Sequence, residues 1–377
     1  VDSSLVSHSD SEGVLSGTES VSELIKFAHD NHKTIILLIN KMPEWLANKT
    51  DGLCNQTGEL NWDSCLPTNY TKYTNMVLEV INNVTSNGLY NSSIEIEYWN
   101  EPYGNTFLSN LSKDNITKAI NYVYMYNITY DAVKSVYPNI KFGGGGGYYV
   151  DSPNMINTFL SNLTNKWDFV VYHQYNSVSD LTDSSIQSVK NATDWLLGRC
   201  SLYGANCSKI YLTEWNKLYD SGTSFTSIHT ATLGKTYAYM LNVVPENMTS
   251  VIFKFDQRYL NSSCDVNFNY TSFSQFTPTY YPPYNVTKNF ATYCPAGSTI
   301  VHSESDNDAV KVVANKNGNI KSFVVINTAN SSQNQSIIIY NAPDITSLTD
   351  SNGDVYPVVN NVVQLGIMNS YEIKYLS

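Results

Sequence analysis

The sequence predicts an α/β chain built on a parallel sheet and followed by a smaller all-β module. Three observations predict it. Helical and strand patterns alternate six times before residue 257, the order that yields a parallel sheet. From Ile300 onward apolar and polar residues alternate with period two, broken by the turn signals Asn317-Gly318 and Asn352-Gly353. Between these stretches, residues 258–298 are rich in Tyr, Pro and Asn and read as a long loop.

The elements follow in order. Val21, Leu24, Ile25 and Ala28 have helical spacing over residues 20–32, with Ser20 or Ser22 as the cap. "TIILLIN" follows, a continuous β-branched and apolar run that reads as a buried parallel strand. A helix over 70–87 precedes "SIEIEYWN", and one over 114–136 precedes "IKFGGGGG". A helix over 152–164 precedes "WDFVVYHQY", one over 183–202 precedes "KIYLTEWN", and one over 227–243 precedes "SVIFKFD". Gly143 to Gly147 lack the G-K-[ST] ending of a phosphate loop, so they mark a crowded strand end where backbone approaches closely. A short helix is expected over Val286 to Tyr293. The period-two segments after Ile300 form a small β-sandwich. The expected domains are therefore 1–298 and 299–377.

Composition narrows the function. Of 377 residues, 42% are hydrophobic, enough for a sizeable core, and no apolar run reaches the length of a membrane-spanning helix. Only 15% are charged, so Asn, Ser, Thr and the 29 Tyr must supply the polar surface. A net charge of −11 argues against nucleic acid as a partner. The six Cys fall in three local pairs, Cys54 with Cys65, Cys200 with Cys207, and Cys264 with Cys294. None has C-x-x-C spacing and no His cluster accompanies them, so neither zinc nor any other metal or cofactor is expected. An even count at loop-like positions reads as disulfides and an oxidising compartment, although six Cys allow about fifteen connectivities.

Sequons are dense: Asn48, Asn55, Asn69, Asn83, Asn91, Asn110, Asn115, Asn127, Asn162, Asn191, Asn206, Asn247, Asn261, Asn269, Asn285, Asn330 and Asn334. With the Cys pairs they point to a glycosylated protein outside the cell or on its surface. The chain begins at Val1 without a leader segment, so removal of an N-terminal piece is expected.

Two predicted strands end alike, "IEYWNEP" in Glu101 and "IYLTEWN" in Glu214. Parallel strands of a closed barrel point their C-termini to one face, which brings two such carboxylates together. If "TIILLIN" is the third strand, Glu101 ends strand four and Glu214 ends strand seven. This pairing of W-N-E-P with T-E-W-N resembles the signature of clan A retaining glycoside hydrolases. It is closest to glycoside hydrolase family 39, with families 5, 30, 51 and 79 as relatives. "MPEWL", with Pro43 and Trp45, and "HQY", with His173 and Tyr175, extend the resemblance.

The resemblance implies a (β/α)8 TIM barrel, a trailing β-sandwich, a carbohydrate substrate, and retaining hydrolysis of β-linkages by double displacement. It assigns Glu214 as nucleophile and Glu101 as acid/base, roles that need carboxyl groups about 5–5.5 Å apart. Asn100 would hold the sugar 2-hydroxyl, and Pro102 would restrict the backbone of Glu101. His173 or Tyr175 would donate to Glu214 and keep it ionised. Trp45, Trp99 and Trp215 offer flat faces to sugar rings.

One count departs from that pattern. Six strands are found where a barrel has eight, and a stub at residues 4–6 before the loop "SHSDSEGVLSGT" leaves no room for a unit of roughly thirty residues. A piece cleaved from a longer precursor, a second chain or an open barrel would each explain this, and processing from a precursor is the favoured expectation. An N-terminal fragment of the same precursor, or a cell-surface association, is thus an expected partner. A non-catalytic surface-coat protein on a glycosidase-derived scaffold stands as the alternative function.

Overall fold

The computed structural model describes residues 8–49, 65–102, 115–145, 153–176, 183–217, 249–254, 266–269, 277–280, 282–295, 297–340 and 344–377, with positions 231, 233–235, 237–238 and 241. The chain divides into two compact units. One comprises Val1–Gln174, Ala192–Trp215 and Asn247–Phe253, the other Tyr175–Asn191, Asn216–Glu246 and Lys254–Ser377.

The first unit opens with β1 (His8–Ser11) and β2 (Val14–Ser16), an antiparallel hairpin where the sequence suggested only a loop. Gly13 at φ 75° makes the reversal. Helix α1 (Thr18–Asp30) starts from Gly17, and neither Ser20 nor Ser22 caps it; Ser22 donates instead to the carbonyl of Asn83. Strand β3 (Ile35–Ile39) is followed by α2 (Tyr70–Val84), whose first turn is capped by Asn69 Oδ1 accepting from the Lys72 amide at 3.0 Å. Then come β4 (Ile94–Tyr98), α3 (Asn115–Val136), β5 (Lys141–Gly144), α4 (Pro153–Asn162), β6 (Phe169–Asn176), α5 (Asp183–Leu202), β7 (Lys209–Lys217) and β8 (Thr249–Lys254). The positions described between 231 and 241 are helical.

The six strands β3 to β8 form one sheet in sequence order, with parallel pairing in the registers of β3 through β6. One face packs on the helices. Tyr98 sits among Tyr73 of α2, Tyr122 and Tyr126 of α3, and Phe142 of β5, all fully buried. On the other face Phe169 and Tyr211 stack at 4.2 Å, with Val171 and Ile36 against them. Thr213 Oγ1 of β7 donates to Glu97 Oε1 of β4 at 3.1 Å. These strands are separated by β5 and β6, about 14 Å across a flat sheet. The contact therefore requires a strongly curled sheet, concave toward this face.

The glycines of β5 mark the crowded strand end expected of them. A Cβ on Gly143 would lie 2.2 Å from the Phe169 ring, and one on Gly144 would lie 2.6 Å from the Tyr122 hydroxyl. That hydroxyl accepts from the Gly145 amide and donates to the Tyr98 carbonyl.

In the second unit, residues read as a long loop contain the antiparallel pair β9 (Val266–Asn269) and β10 (Thr277–Tyr280), followed by α6 (Pro282–Tyr293). Alternating polar and apolar residues in both short runs fit a strand pair that the surrounding Tyr and Pro disguise. Strands β11 (Thr299–Val301), β12 (Val310–Asn317), β13 (Ile320–Asn327), β14 (Gln333–Ile338), β15 (Ser347–Thr349), β16 (Val355–Val359), β17 (Val362–Met368) and β18 (Ile373–Leu376) follow. They form two four-stranded sheets, β11-β12-β13-β18 and β14-β17-β16-β15. Their buried residues make one cluster that includes Val310, Phe323, Val325, Leu348, Val363, Leu365 and Leu376.

The cysteines divide. Cys200 and Cys207 are bridged, and Cys65 is disulfide-bonded. The expected Cys264–Cys294 bridge is corrected, because Cys294 is a free thiol. It follows directly after α6, where Asn315 Nδ2 of β12 approaches its sulfur at 3.2 Å and burial pushes its pKa up to about 11. Cys54, Cys264, Asn55, Asn110, Asn247 and Asn261 lie outside the described residues, as do the side chains of Asn115 and Asn269. Among the described residues no helix is long and apolar enough to cross a membrane.

Candidate active site

The C-terminal ends of β4, β6 and β7 deliver Glu101, His173 and Glu214 to one place. Beyond Tyr98 the chain turns sharply. Trp99 has φ 63° and Glu101 has φ 40°, both in the left-handed region that side chains with a Cβ disfavour. The turn is tied down at two points. The Trp99 amide donates to the Ile39 carbonyl at 2.7 Å, and the Asn100 amide donates to Asn40 Oδ1 at 3.3 Å. Trp99 itself is fully buried beside Tyr98, so it is a packing residue and not an exposed face for a sugar ring.

His173 lies at the centre and is wholly buried. Its Nδ1 is 3.0 Å from Glu101 Oε1 and 3.6 Å from Glu214 Oε2. Its Nε2 is 3.6 Å from Glu97 Oε1, an ion-pair distance too long for a hydrogen bond. Burial alone would lower its pKa, but Glu101, Glu97 and Glu214 together outweigh burial and raise it to about 10. The sequence suggested His173 as a donor to Glu214; in the structure its shorter contact is to Glu101. Glu101 and Glu214 remain partly open, their side chains 26% and 19% exposed, while Glu97 is closed off at 4%. Donor atoms of Glu101, His173 and Glu214 all lie within 4.8 Å of one another.

Asn100 Oδ1 is buried without a hydrogen-bond partner among the described residues. Trp45 is half-buried and donates from its indole to Ser9 Oγ of β1 at 3.2 Å, a contact with the N-terminal hairpin. The side chains of Tyr175 and Trp215 lie outside the described residues.

Residues 21–327 match the profile of the glycosyl hydrolases family 39. The chain belongs to that family. The resemblance read from W-N-E-P and T-E-W-N is thereby borne out. No curated protein matches this family 39 chain.

Solved structures share its fold. A family 39 glycoside hydrolase from the gut symbiont Bacteroides cellulosilyticus WH2 is 18% identical with a TM-score of 0.57, the match covering 95% of this chain and 77% of that one. The family 39 enzyme from Xanthomonas axonopodis pv. citri is 13% identical with a TM-score of 0.61, covering 98% and 84%. A glycoside hydrolase family 30 endoxylanase from Clostridium papyrosolvens C71 is 16% identical with a TM-score of 0.63, covering 96% and 83%. At these identities the likeness carries the fold alone.

The spacing of Glu101, His173 and Glu214 could be spanned by a cation, but both ring nitrogens face carboxylates. Glu97 is the residue of this family 39 site that sequence reading overlooked. "IEIEYW" alternates like a half-exposed strand, and only the burial of β4 on both faces sets its carboxylate apart.

Proposed function

We propose that the chain is a secreted, retaining β-glycoside hydrolase that cleaves polysaccharides or oligosaccharides by double displacement. The observation that carries this reading is the approach of two strand-end carboxylates, Glu101 and Glu214, within 4.8 Å across a concave sheet face. Inverting enzymes hold the pair about 6.5–9.5 Å apart to admit a water between them, whereas retaining enzymes need about 5–5.5 Å. In this reading the curled sheet is the larger part of a (β/α)8 barrel, and residues 299–377 are an appended β-sandwich.

Glu214 attacks the anomeric carbon while the bond to the leaving oxygen breaks and Glu101 gives that oxygen a proton. Glu101 then takes a proton from water, which attacks the glycosyl ester and frees Glu214. The substrate is reached from solvent through the exposed parts of both carboxylates. The Cys200–Cys207 bridge and the exposed sequon residues Asn83, Asn162, Asn191, Asn206, Asn285, Asn330 and Asn334 support an oxidising, glycosylating route to the cell exterior. A coat protein has no use for a buried imidazole facing three carboxylates, so the hydrolase reading is preferred.

Substitution of the two Glu tests it. Glu101→Ala should keep turnover of aryl glycosides with good leaving groups, and azide should rescue it to a β-azide product. Glu214→Ala should lose all substrates, with azide giving the inverted α-azide. The opposite pattern would reverse the two roles, and full activity in both variants would sink the proposal.

A further inference from the structure

The outer face of the sheet β14-β17-β16-β15 is apolar and exposed. Ile338, Tyr340, Val359 and Ile367 are 55%, 76%, 61% and 69% exposed. The register sets Ile338 and Val359 on either side of Val362, so these three form one row across three strands. None of the four strands carries a charged side chain, whereas Lys311, Lys316, Lys321 and Lys374 stand in the strands of the other sheet. β14 is also an edge strand. Edges are ordinarily kept from pairing with other chains by charges, Pro, bulges or a cover. β14 has no charge and no Pro, and its one shift of register, between Gln335 and Ser336, leaves Ile338 beyond it.

What β14 does carry is the sequon Asn334-Gln335-Ser336. Asn334 and Ser336 are exposed on the same face as Ile338. Asn334 lies opposite Ile367 in the ladder, and Ile338 follows about 14 Å further along the strand. The register shift falls inside the sequon, where β17 carries an extra residue beside Gly366 at φ 70°, and the ladder is locally disrupted there. The side chain of Asn334 makes no hydrogen bond among the described residues. Other sequon amides are committed: Asn83 Nδ2 donates to the Glu79 carbonyl and Asn162 Nδ2 to the Thr158 carbonyl. Modifying Asn334 therefore breaks no internal contact.

We propose that Asn334 carries an N-linked oligosaccharide that lies over the uncharged outer face of this sheet and keeps β14 from pairing with other chains. The inference rests on the secreted, glycosylated reading given above. Sugars suit the face. Pyranose rings set C–H groups against Ile338, Val359 and Tyr340 while their hydroxyls stay in water, and a charged occupant would meet no counter-charge. A linked glycan is bulky and solubilising, the two properties an unprotected edge lacks. The attachment balances: an Nδ2–H bond of Asn334 breaks, an N–C bond forms to the anomeric carbon of an oligosaccharide carried on a lipid phosphate, and the lipid phosphate leaves with the proton.

Glycopeptide mass spectrometry of the protein isolated from its own cells should find Asn334 occupied. Asn334→Gln and Ser336→Ala each remove the sequon, whereas Ser336→Thr retains it. Made in the same cells, the first two should bind several-fold more of an apolar fluorescent dye and self-associate more strongly in sedimentation, and Ser336→Thr should match the native chain. Adding Ile338→Thr and Val359→Thr to Asn334→Gln should reverse both effects, which assigns them to this face. A bare Asn334 beside other occupied sequons would overturn the inference alone. So would an occupied Asn334 whose loss leaves dye binding and association unmoved. Sugar-bearing native protein that self-associates, or is retained on an insoluble polysaccharide, and loses this with Ile338→Thr and Val359→Thr would also overturn it, by giving the face to a second copy or to the polysaccharide. A chain bare at every sequon would overturn the glycosylated reading, and this inference with it.

Discussion

Glu101 is held in a backbone conformation that its own chemistry does not favour. Its φ of 40° lies in the left-handed region, and the following Pro102 disfavours helical geometry in the residue before it. Strain of this kind costs on the order of 1–3 kcal/mol and persists where surrounding contacts dictate it. Here the buried Trp99 and the amide bonds to Ile39 and Asn40 do so, fixing the direction in which the carboxylate leaves the strand. Asn100, between the two strained residues, has a buried Oδ1 that no described protein group satisfies. Removing it should cost little stability, because no internal hydrogen bond is lost with that oxygen. If it holds the sugar 2-hydroxyl, Asn100→Ala should lower kcat/KM by on the order of 10²-fold while the melting temperature stays put. A large drop in melting temperature with unchanged kinetics would assign the side chain to the fold. Glu101, Glu214, His173 and Asn100 were legible because motif residues at strand ends have few other reasons to occur together. Glu97 was not, because an alternating strand reads as half-exposed until its buried face is known.

At the scale of elements, alternation of helix and strand was readable because several buried strands, β3 among them, are continuous apolar runs and helices such as α1 and α2 have a clear apolar face. Helix α3 is harder: Tyr122, Met125, Tyr126 and Val133 are buried while Ile116, Ile120 and Tyr124 remain exposed, so apolar residues surround it. Its length identifies it better than its periodicity. Ends were read less well than middles. Gly17, and neither serine, starts α1, since a glycine at φ 71° leaves no side-chain signature of a cap. The glycine run of β5 was interpretable because crowding is the ordinary reason for losing a Cβ where no φ demands it. Gly143→Ala tests that. The new methyl would meet the Phe169 ring at 2.2 Å and its carbonyl oxygen at 2.5 Å, and backbone cannot move aside as a side chain does. Overpacking of this kind costs about 1–3 kcal/mol or more. Thermal melts should therefore drop by several degrees, and an unchanged melt would mean that β5 and β6 separate easily.

Across the whole molecule, the curl of the sheet could not be read from any strand alone. It is visible only in side chains that meet across intervening strands, Thr213 with Glu97 and Ile36 with Phe169 and Tyr211. The Cys294 pairing failed for a related reason: local sequence spacing does not reveal that Asn315 of a distant strand occupies the space beside the thiol. The C-terminal sheets, in contrast, follow their period-two pattern closely, and one buried charge anchors them. Asp350 Oδ1 accepts from the amides of Asn352 and Asp354, Oδ2 accepts from the Tyr356 hydroxyl at 3.0 Å, and Lys374 donates to that same hydroxyl. Burial opposes the charge, yet the two amides, the hydroxyl and Lys374 outweigh it and hold the carboxyl below its ordinary pKa. A depressed carboxylate stabilises the fold above its unfolded pKa, near about 4, and that contribution is lost as pH falls through the folded value. Asp350→Asn keeps one acceptor for the amides but loses the charge that Tyr356 and Lys374 are arranged around. It should cost about 1–3 kcal/mol at pH 7. The gap between native and variant should then close as pH falls through the lowered folded-state pKa of Asp350, where the native carboxyl itself becomes neutral. Melting curves from pH 2 to 7 measure both limbs. A gap that stayed constant across that range would mean that Asp350 acts through its shape, and the charge-based account of this turn would have to be abandoned.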